Sequence, residues 1–211
     1  MIIVVGGLKG GTGKTTIATN LTVLRASTGS KVLLVDADEQ KSASMWAAQR
    51  DALGIETQWS TIQLSGTTIR SQIERMRSDY DDIIIDVGGR ETTSLRAAIS
   101  VADIFLVPFK PRSLDIWTLN DLSLVINDMK PANLMLKSFA IINQADSRGV
   151  DNEATLDILK ECTELQCIDF TIGYRKAFCN ASSDGLGVSE LKSADKKSLS
   201  EIKNLYTFMY T

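Results

Sequence analysis

The residues with the most chemical content stand together near the N-terminus, in Gly6-Gly7-Leu8-Lys9-Gly10-Gly11-Thr12-Gly13-Lys14-Thr15-Thr16. An apolar run, Ile2-Ile3-Val4-Val5, leads into them and a helix-period stretch follows. Glycines let the backbone take positive φ and aim successive N–H groups at one small anion, and the N-terminus of the following helix adds partial positive charge. Such a loop suits a phosphate: Lys14 is placed to reach β and γ phosphates, and the Thr15 hydroxyl to ligate Mg²⁺. The dinucleotide fingerprint G-x-G-x-x-G does not occur in the loop, which favours a mononucleotide triphosphate. The usual P-loop pattern G-x-x-x-x-G-K-[ST] is not met either, because Leu8 stands five places before Gly13.

Two acidic segments follow. Lys31-Val32-Leu33-Leu34-Val35 reads as a buried strand and ends in Asp36-Ala37-Asp38-Glu39-Gln40. A carboxylate at the C-terminal end of such a strand lies in the crevice where α/β sheets bind ligands, and two there are costly without a nearby cation. Either Asp36 or Asp38 could instead cap a helix beginning near Gln40. Asp82-Ile83-Ile84-Ile85-Asp86-Val87-Gly88-Gly89 repeats the pattern and reads as a Walker B strand. Asp86 is expected to hold Mg²⁺ through its water shell, since Mg²⁺ takes one or two carboxylates besides phosphate oxygens and waters. Asp81 and Asp82, a strand length away, are read as solvated charges. Histidine is absent, which excludes a Ser-His-Asp triad, a Cys-His pair and an H-E-x-x-H zinc site. The cysteines, Cys162, Cys167 and Cys179, have no C-x-x-C spacing and are expected to be reduced thiols.

Positioning these groups requires a sheet whose strands all end on one side. Apolar, β-branched runs alternate with helix-period stretches throughout, the pattern of a mostly parallel sheet with helices on both faces. Strands are predicted at Ile2-Val5, Lys31-Val35, Asp82-Asp86, Asp103-Pro108 and Leu136-Asn143, with weaker ones near Ile55-Trp59 and Gln166-Phe170. Ile17, Leu21 and Leu24 fall on one face of a helix starting near Lys14, and Leu114, Trp117, Leu122, Val125, Ile126 and Met129 on one face of another. The 211 residues, 44% hydrophobic and 23% charged, fit one α/β domain over residues 1–211 with a full core, which excludes a disordered chain. No apolar run approaches the ~18 residues that span a bilayer and no signal-peptide pattern opens the chain, so a cytoplasmic location is expected. The net charge of −3 and pI near 5.1 are the wrong sign for a dedicated nucleic-acid domain. Residues 171–211 nonetheless hold 6 Lys and Arg against 4 Asp and Glu. In the final helical stretch Lys192, Lys196 and Lys203 share one flank beside the stripe Val188, Leu191, Leu199, Ile202, Leu205 and Met209, either as a phosphate-contacting strip or as a solvated face.

Lys9-Gly10-Gly11-Thr12-Gly13-Lys14-Thr15-Thr16 resembles the deviant Walker A motif, K-G-G-x-G-K-T-T, of the ParA/MinD family of ATPases, and is most like that of the small ParA-type partition ATPases. Asp36-Ala37-Asp38-Glu39-Gln40 resembles that family's D-x-D-x-Q motif, and Val107 to Asp115 its proline-containing loop. The resemblance implies a P-loop NTPase fold, ATP and Mg²⁺ as cofactors, and weak intrinsic hydrolysis. It makes Lys9, Lys14 and Asp38 catalytic: Lys9 reaches the phosphates of a partner's ATP across a homodimer, and Asp38 orients the attacking water. Thr15, Asp36 and Asp86 serve the metal, and the nucleotide lies on Lys9 to Thr16, with Asn143 reading the adenine edge.

Segment 172–191 resembles the stretch in which family members hold DNA without sequence preference, matching Arg175 and Lys176 and adding to Lys192, Lys196 and Lys203. The implied role is segregation of plasmid or chromosome DNA. ATP dimers would sit on the nucleoid, and a centromere-binding ParB-type partner would stimulate hydrolysis. The chain begins at its first strand, so the N-terminal DNA-reading extension of larger ParA proteins is not expected. Neither is a membrane partner, because the last residues lack a basic amphipathic helix. An iron–sulfur role is disfavoured because all three cysteines lie past residue 160. Two rivals are a positioning or adaptor ATPase for a protein cargo or conjugative complex without direct DNA binding, and a small-molecule kinase or ligase.

Overall fold

The computed structural model of the chain describes residues 1–111, 116–146, 150–193 and 195–211. Seven strands form one sheet: β1 (Ile2–Val5), β2 (Val32–Ala37), β3 (Trp59–Gln63), β4 (Asp82–Val87), β5 (Ile104–Phe109), β6 (Lys137–Ala145) and β7 (Gln166–Gly173). Their order is β3-β2-β4-β1-β5-β6-β7 and every pairing is parallel. Parallel pairing lines up the strand ends, so β1, β2 and β4 deliver the glycine loop, Asp36 and Asp86 to one edge. The register places Asp36 beside Asp86.

Eight α-helices lie among the described residues: α1 (Lys14–Ala26), α2 (Ser42–Ala52), α3 (Thr68–Met76), α4 (Thr93–Ile99), α5 (Ile116–Met129), α6 (Val150–Lys160), α7 (Lys176–Ser183) and α8 (Lys196–Tyr210). Strand side chains alternate between two cores, as a period of two requires. Ile2, Val4, Leu33, Val35, Ile83 and Ile85 pack with Ile69 and Ile73 of α3, Leu95 of α4 and Leu122 and Ile126 of α5. Ile3, Val5, Leu34 and Ile84 pack with Ile17, Leu21 and Leu24 of α1, Trp46 of α2, Phe178 of α7 and Ile202, Leu205 and Met209 of α8. Because both faces are covered, the central strands read as unbroken apolar runs.

The structure corrects three expectations about elements. The strand expected near Ile55-Trp59 begins where that run ends, at Trp59, because the Arg50 guanidinium fixes the Glu56 carbonyl in the preceding turn and Trp59 stacks on Trp46, 5.5 Å between ring centroids. The final helix starts at Lys196, capped by the Asp195 carboxylate on the N–H groups of Lys197 and Ser198. Val188 belongs instead to a 3₁₀ turn, Val188–Glu190, so Val188, Leu191 and Lys192 precede the helix. Asp82 is buried, paired with Arg25 at 2.5 Å and with the N-terminal ammonium of Met1 at 3.3 Å. Leu114, named for the helix now seen as α5, lies outside the described residues.

Arg50 is only 4% exposed yet charged, and its partners explain how. It meets Glu190 in a two-pronged pair at 2.8 and 2.6 Å, donates to the carbonyls of Gly185 and Glu56, and lies over the Trp59 ring. This joins α2 to the turn after α7. Removing one partner of a buried pair strands the other charge and costs about 3–5 kcal/mol, whereas an exposed pair contributes under ~1 kcal/mol. Glu190→Ala is therefore expected to lower urea-unfolding stability by about 3 kcal/mol. Glu74→Ala, in the exposed Arg70–Glu74 pair, should change it by under ~0.5 kcal/mol.

Candidate functional site

β1 ends at Val5 and the chain turns through Gly7, Gly11 and Gly13, all at positive φ, before α1 begins. Gly13, at φ 87, is the N-cap of α1, and a Cβ there would stand 2.2 Å from the Asn143 amide nitrogen. Gly89, after β4, lies so close that its Cβ would stand 2.6 Å from the Gly10 nitrogen. A Gly88 Cβ would meet Asp38 at 2.9 Å. Glycine is thus required at Gly89 by close approach to backbone and at Gly13 by its φ. Around this loop opens a cleft of about 660 Å³, lined by the loop, Thr15, Thr16, Asp38 to Gln40, Gly88 to Arg90 and Gln144.

Lys14 is 6% exposed and donates from Nζ to the Lys9 carbonyl at 2.6 Å. Burial lowers its pKa, against the pull of Asp86 and Asp38. The ammonium is held at the loop and ready to exchange a carbonyl for a phosphate oxygen. Thr15 donates its hydroxyl to Asp86 Oδ2 at 2.7 Å, while Asp86 Oδ1, buried, has no hydrogen-bond partner among the described residues. Burial pushes the Asp86 carboxyl up to about 7, and Asp36 and Asp38 push the same way against the Thr15 hydrogen bond and Lys14. A buried carboxylate oxygen with nothing to accept from, beside a threonine hydroxyl, suits a hard cation. No group of three or more His, Cys, Asp or Glu among the described residues could hold a metal unaided. Phosphate oxygens and waters would therefore complete the shell of Mg²⁺ held by Thr15 and Asp86.

Asp36 accepts from the N–H of Asp38 at 3.2 Å and of Ser44 at 2.7 Å. It ties the start of α2 to the sheet. Asp38 accepts from the N–H of Gln40 and faces Gly88 in the cleft. Lys41, at the N-cap of α2, takes φ 54, so the turn between Asp38 and α2 holds one of the two non-glycine residues at positive φ among those described.

Other sequence-predicted residues fall elsewhere. Asn143 is 5% exposed and its amide donates to the Thr12 carbonyl at 2.7 Å, so this donor supports the loop and is not open to a base edge. It does line a second cavity, about 270 Å³, with Tyr174, Arg175, Phe178 and Cys179, which joins the first through Gly13, Thr16, Gln144 and Ser182. Arg175 is not a free cation: its guanidinium pairs with Glu201 through two nitrogens and approaches Asp195 at 4.0 Å. Lys176, Lys192, Lys196 and Lys203 are exposed, but Lys192 lies off the helix that carries Lys196 and Lys203. In the segment from Val107, Pro108 and Phe109 end β5, Lys110 and Pro111 follow, and residues 112–115 lie outside the described residues. Sequence reasoning missed Arg90, at the cleft, and Gln144, whose amide donates to the Gly11 carbonyl at 2.9 Å. Arg90 directly follows the Asp86 glycines, a signal that was available. Gln144 gave none.

The family described as CobQ/CobB/MinD/ParA nucleotide binding domain matches residues 3–188. The maintenance of carboxysome distribution protein A of Halothiobacillus neapolitanus is 24% identical over 206 residues, 96% of this chain and 93% of that protein. Protein ParA of Rhizobium radiobacter is 32% identical over 114 residues, 54% of this chain and 50% of its own length. Among solved structures, a plasmid partition protein from Borrelia burgdorferi B31 bound to AMPPNP superposes with a TM-score of 0.78 at 20% identity, covering 99% of this chain and 98% of that one.

Three substitutions separate the architecture of the loop from its chemistry. Gly13→Ala, with its left-handed φ and its contact with Asn143, should lose about 2 kcal/mol in denaturant unfolding, while Gly10→Ala, with open space around it, changes stability by under ~0.5 kcal/mol. Asp86→Asn removes a charge that is costly to bury, so the metal-free protein is expected to melt roughly 2–4 °C higher at pH 8, where the wild-type carboxyl is ionised. The extra thermal stabilisation that Mg²⁺ adds to bound ATP should disappear in the same variant.

Proposed function

The chain belongs to the CobQ/CobB/MinD/ParA nucleotide-binding family, home of the ParA and MinD ATPases, and we propose that it is a ParA-type partition ATPase: a Mg²⁺-dependent switch that dimerises on ATP and releases on hydrolysis. The observation that carries this reading is the convergence of Lys14, Thr15 and Asp38 on one cleft, with Asp86 buried beneath it on the Thr15 hydroxyl and Lys9 in the adjoining loop. ATP would lay its phosphates against the N–H groups at the start of α1 and its base in the adjoining cavity beside Asn143, Tyr174 and Phe178. Bound Mg²⁺ would supply charge stabilisation at the phosphates. Lys14 neutralises phosphate charge, Asp38 orients a water at the γ-phosphate, and Thr15 and Asp86 fix the metal side. Lys9 is assigned to the partner's phosphates, so the site is complete only in the homodimer.

A γ-phosphate can shift the monomer–dimer equilibrium only through contacts it makes in one state and not the other. The turn from Asp38 to Lys41, lining the cleft at one end and joined to α2 at the other, is placed to sense it. Hydrolysis relies on positioning and is slow until a ParB-type partner completes the geometry. Non-specific DNA is the surface on which ATP dimers would assemble, through Lys176, Lys192, Lys196 and Lys203, giving nucleoid association in the ATP state. Each side chain contributes one phosphate contact, and dimerisation doubles the number. The full-length similarity to a carboxysome distribution protein, and the withdrawal of Arg175 into an ion pair, favour a second reading in which the same switch positions a protein cargo.

Lys9→Ala should abolish ATP-dependent dimerisation in light scattering while retaining ATP binding; dimers of normal affinity would overturn the switch reading. Fluorescence anisotropy of a random-sequence duplex tests the surface. DNA partition requires salt-sensitive binding with ATP and Mg²⁺ that is absent with ADP. Intact dimers that leave DNA unbound would select the protein-cargo reading.

A further inference from the structure

Side chains along a strand point alternately to opposite faces, so consecutive residues cannot normally serve one target. Asn143 and Gln144 do: their amides hold the carbonyls of Thr12 and Gly11, at 2.7 and 2.9 Å. The pairing of β6 with β7 shows how. Asn143 pairs with Ile172 and Ala145 with Gly173, leaving Gln144 as the extra residue of a bulge. Ala140 and Ile142 face the core beneath α3 to α5, and Ala145, an odd step away, faces the same core. Gln144 absorbs the slip at φ 56, a left-handed conformation that β-sheet residues avoid.

We propose that Gln144 is a positioning residue for the nucleotide phosphates, acting with Asn143 as a two-amide clamp on the glycine loop. Two adjacent loop carbonyls are held by β6, and across the planar trans peptides the N–H groups of Thr12 and Gly13 point the opposite way. Gln144 also lines both cavities, so it holds the loop where the phosphate and base regions meet. Strained backbone kept beside a ligand cleft, with its side chain committed to that cleft's wall, is strain with a use. The inference rests on the cleft being a nucleotide site.

Two variants pull stability and binding in opposite directions. Gln144→Gly relieves the left-handed φ and removes the amide; its Tm is expected to equal or exceed that of the wild type, while the Kd for a fluorescent ADP analogue rises about tenfold, the weight of a lost hydrogen bond or two. Gln144→Glu keeps the shape but sets an acceptor against the Gly11 carbonyl, and should weaken binding at least as much. The KM for ATP should rise with them. Variants that bind ADP as tightly as the wild type overturn the clamp, as does a loss of binding in Gln144→Gly that merely tracks a fallen Tm. A wild-type protein that binds neither nucleotide overturns the reading of the cleft itself, and the clamp with it.

Discussion

A buried carboxylate sets the terms for this structure. Asp86 ends the strand next to β1, is 1% exposed, and has one oxygen on Thr15 and the other without a protein partner. Burying such a group beside Asp36 works against the fold unless positive charge arrives. Lys14 supplies part of it, from a helix whose first turn abuts the sheet. The remainder is what a cation and a ligand would bring, so the weakest point in the electrostatics of the core coincides with the cleft. Stability held back there becomes binding free energy when the charge is matched.

The walls around that carboxylate are made of backbone. Gly89 lies against Gly10, Gly88 against Asp38, and Gly13 against Asn143, each closer than a side chain would permit. The glycines of the loop have no side chains to lock them, and carbonyls of the loop are held by side-chain donors beside it. Lys14 takes the carbonyl of Lys9, Gln144 that of Gly11 and Asn143 that of Thr12. Three donors from two elements therefore fix three nearly consecutive peptides. Preorganised N–H groups cost little further ordering when an anion binds.

The far side of the cleft is connected to the C-terminal region through α2. Asp36 holds the N-terminal turn of this helix, and Arg50 near its other end is tied to Gly185 and Glu190 beyond α7. Helix α2 therefore bridges the strand that ends at Asp36 and the segment after α7, held at each end by a charged side chain. Arg175 is bound to Glu201 of α8 and ties that segment to the last helix, while Lys176 and Lys192 are exposed.

The alternation of apolar strands with helix-period stretches was enough to give the parallel α/β fold, because burial on both faces writes a continuous apolar run into each central strand. Lys9 to Thr16, Asp36 to Gln40 and Asp86 to Gly89 stood out in the sequence as candidates for phosphate and metal chemistry by local types and spacing, and parallel strands bring them to one edge. Strand β3 was displaced from Ile55-Trp59 because the turn before it is set by Arg50 from another element. Lys192 was lost from the helical strip because Asp195 caps the helix after it. Asn143, expected at an adenine edge, and Arg175, expected on DNA, are instead engaged with the Thr12 carbonyl and with Glu201, since a side chain's hydrogen bonds depend on what folds against it. Gln144 left no trace in the sequence at all. Its role exists only because β6 and β7 slip by one residue when paired, and the register between two strands is decided by their shared packing and not by either strand alone.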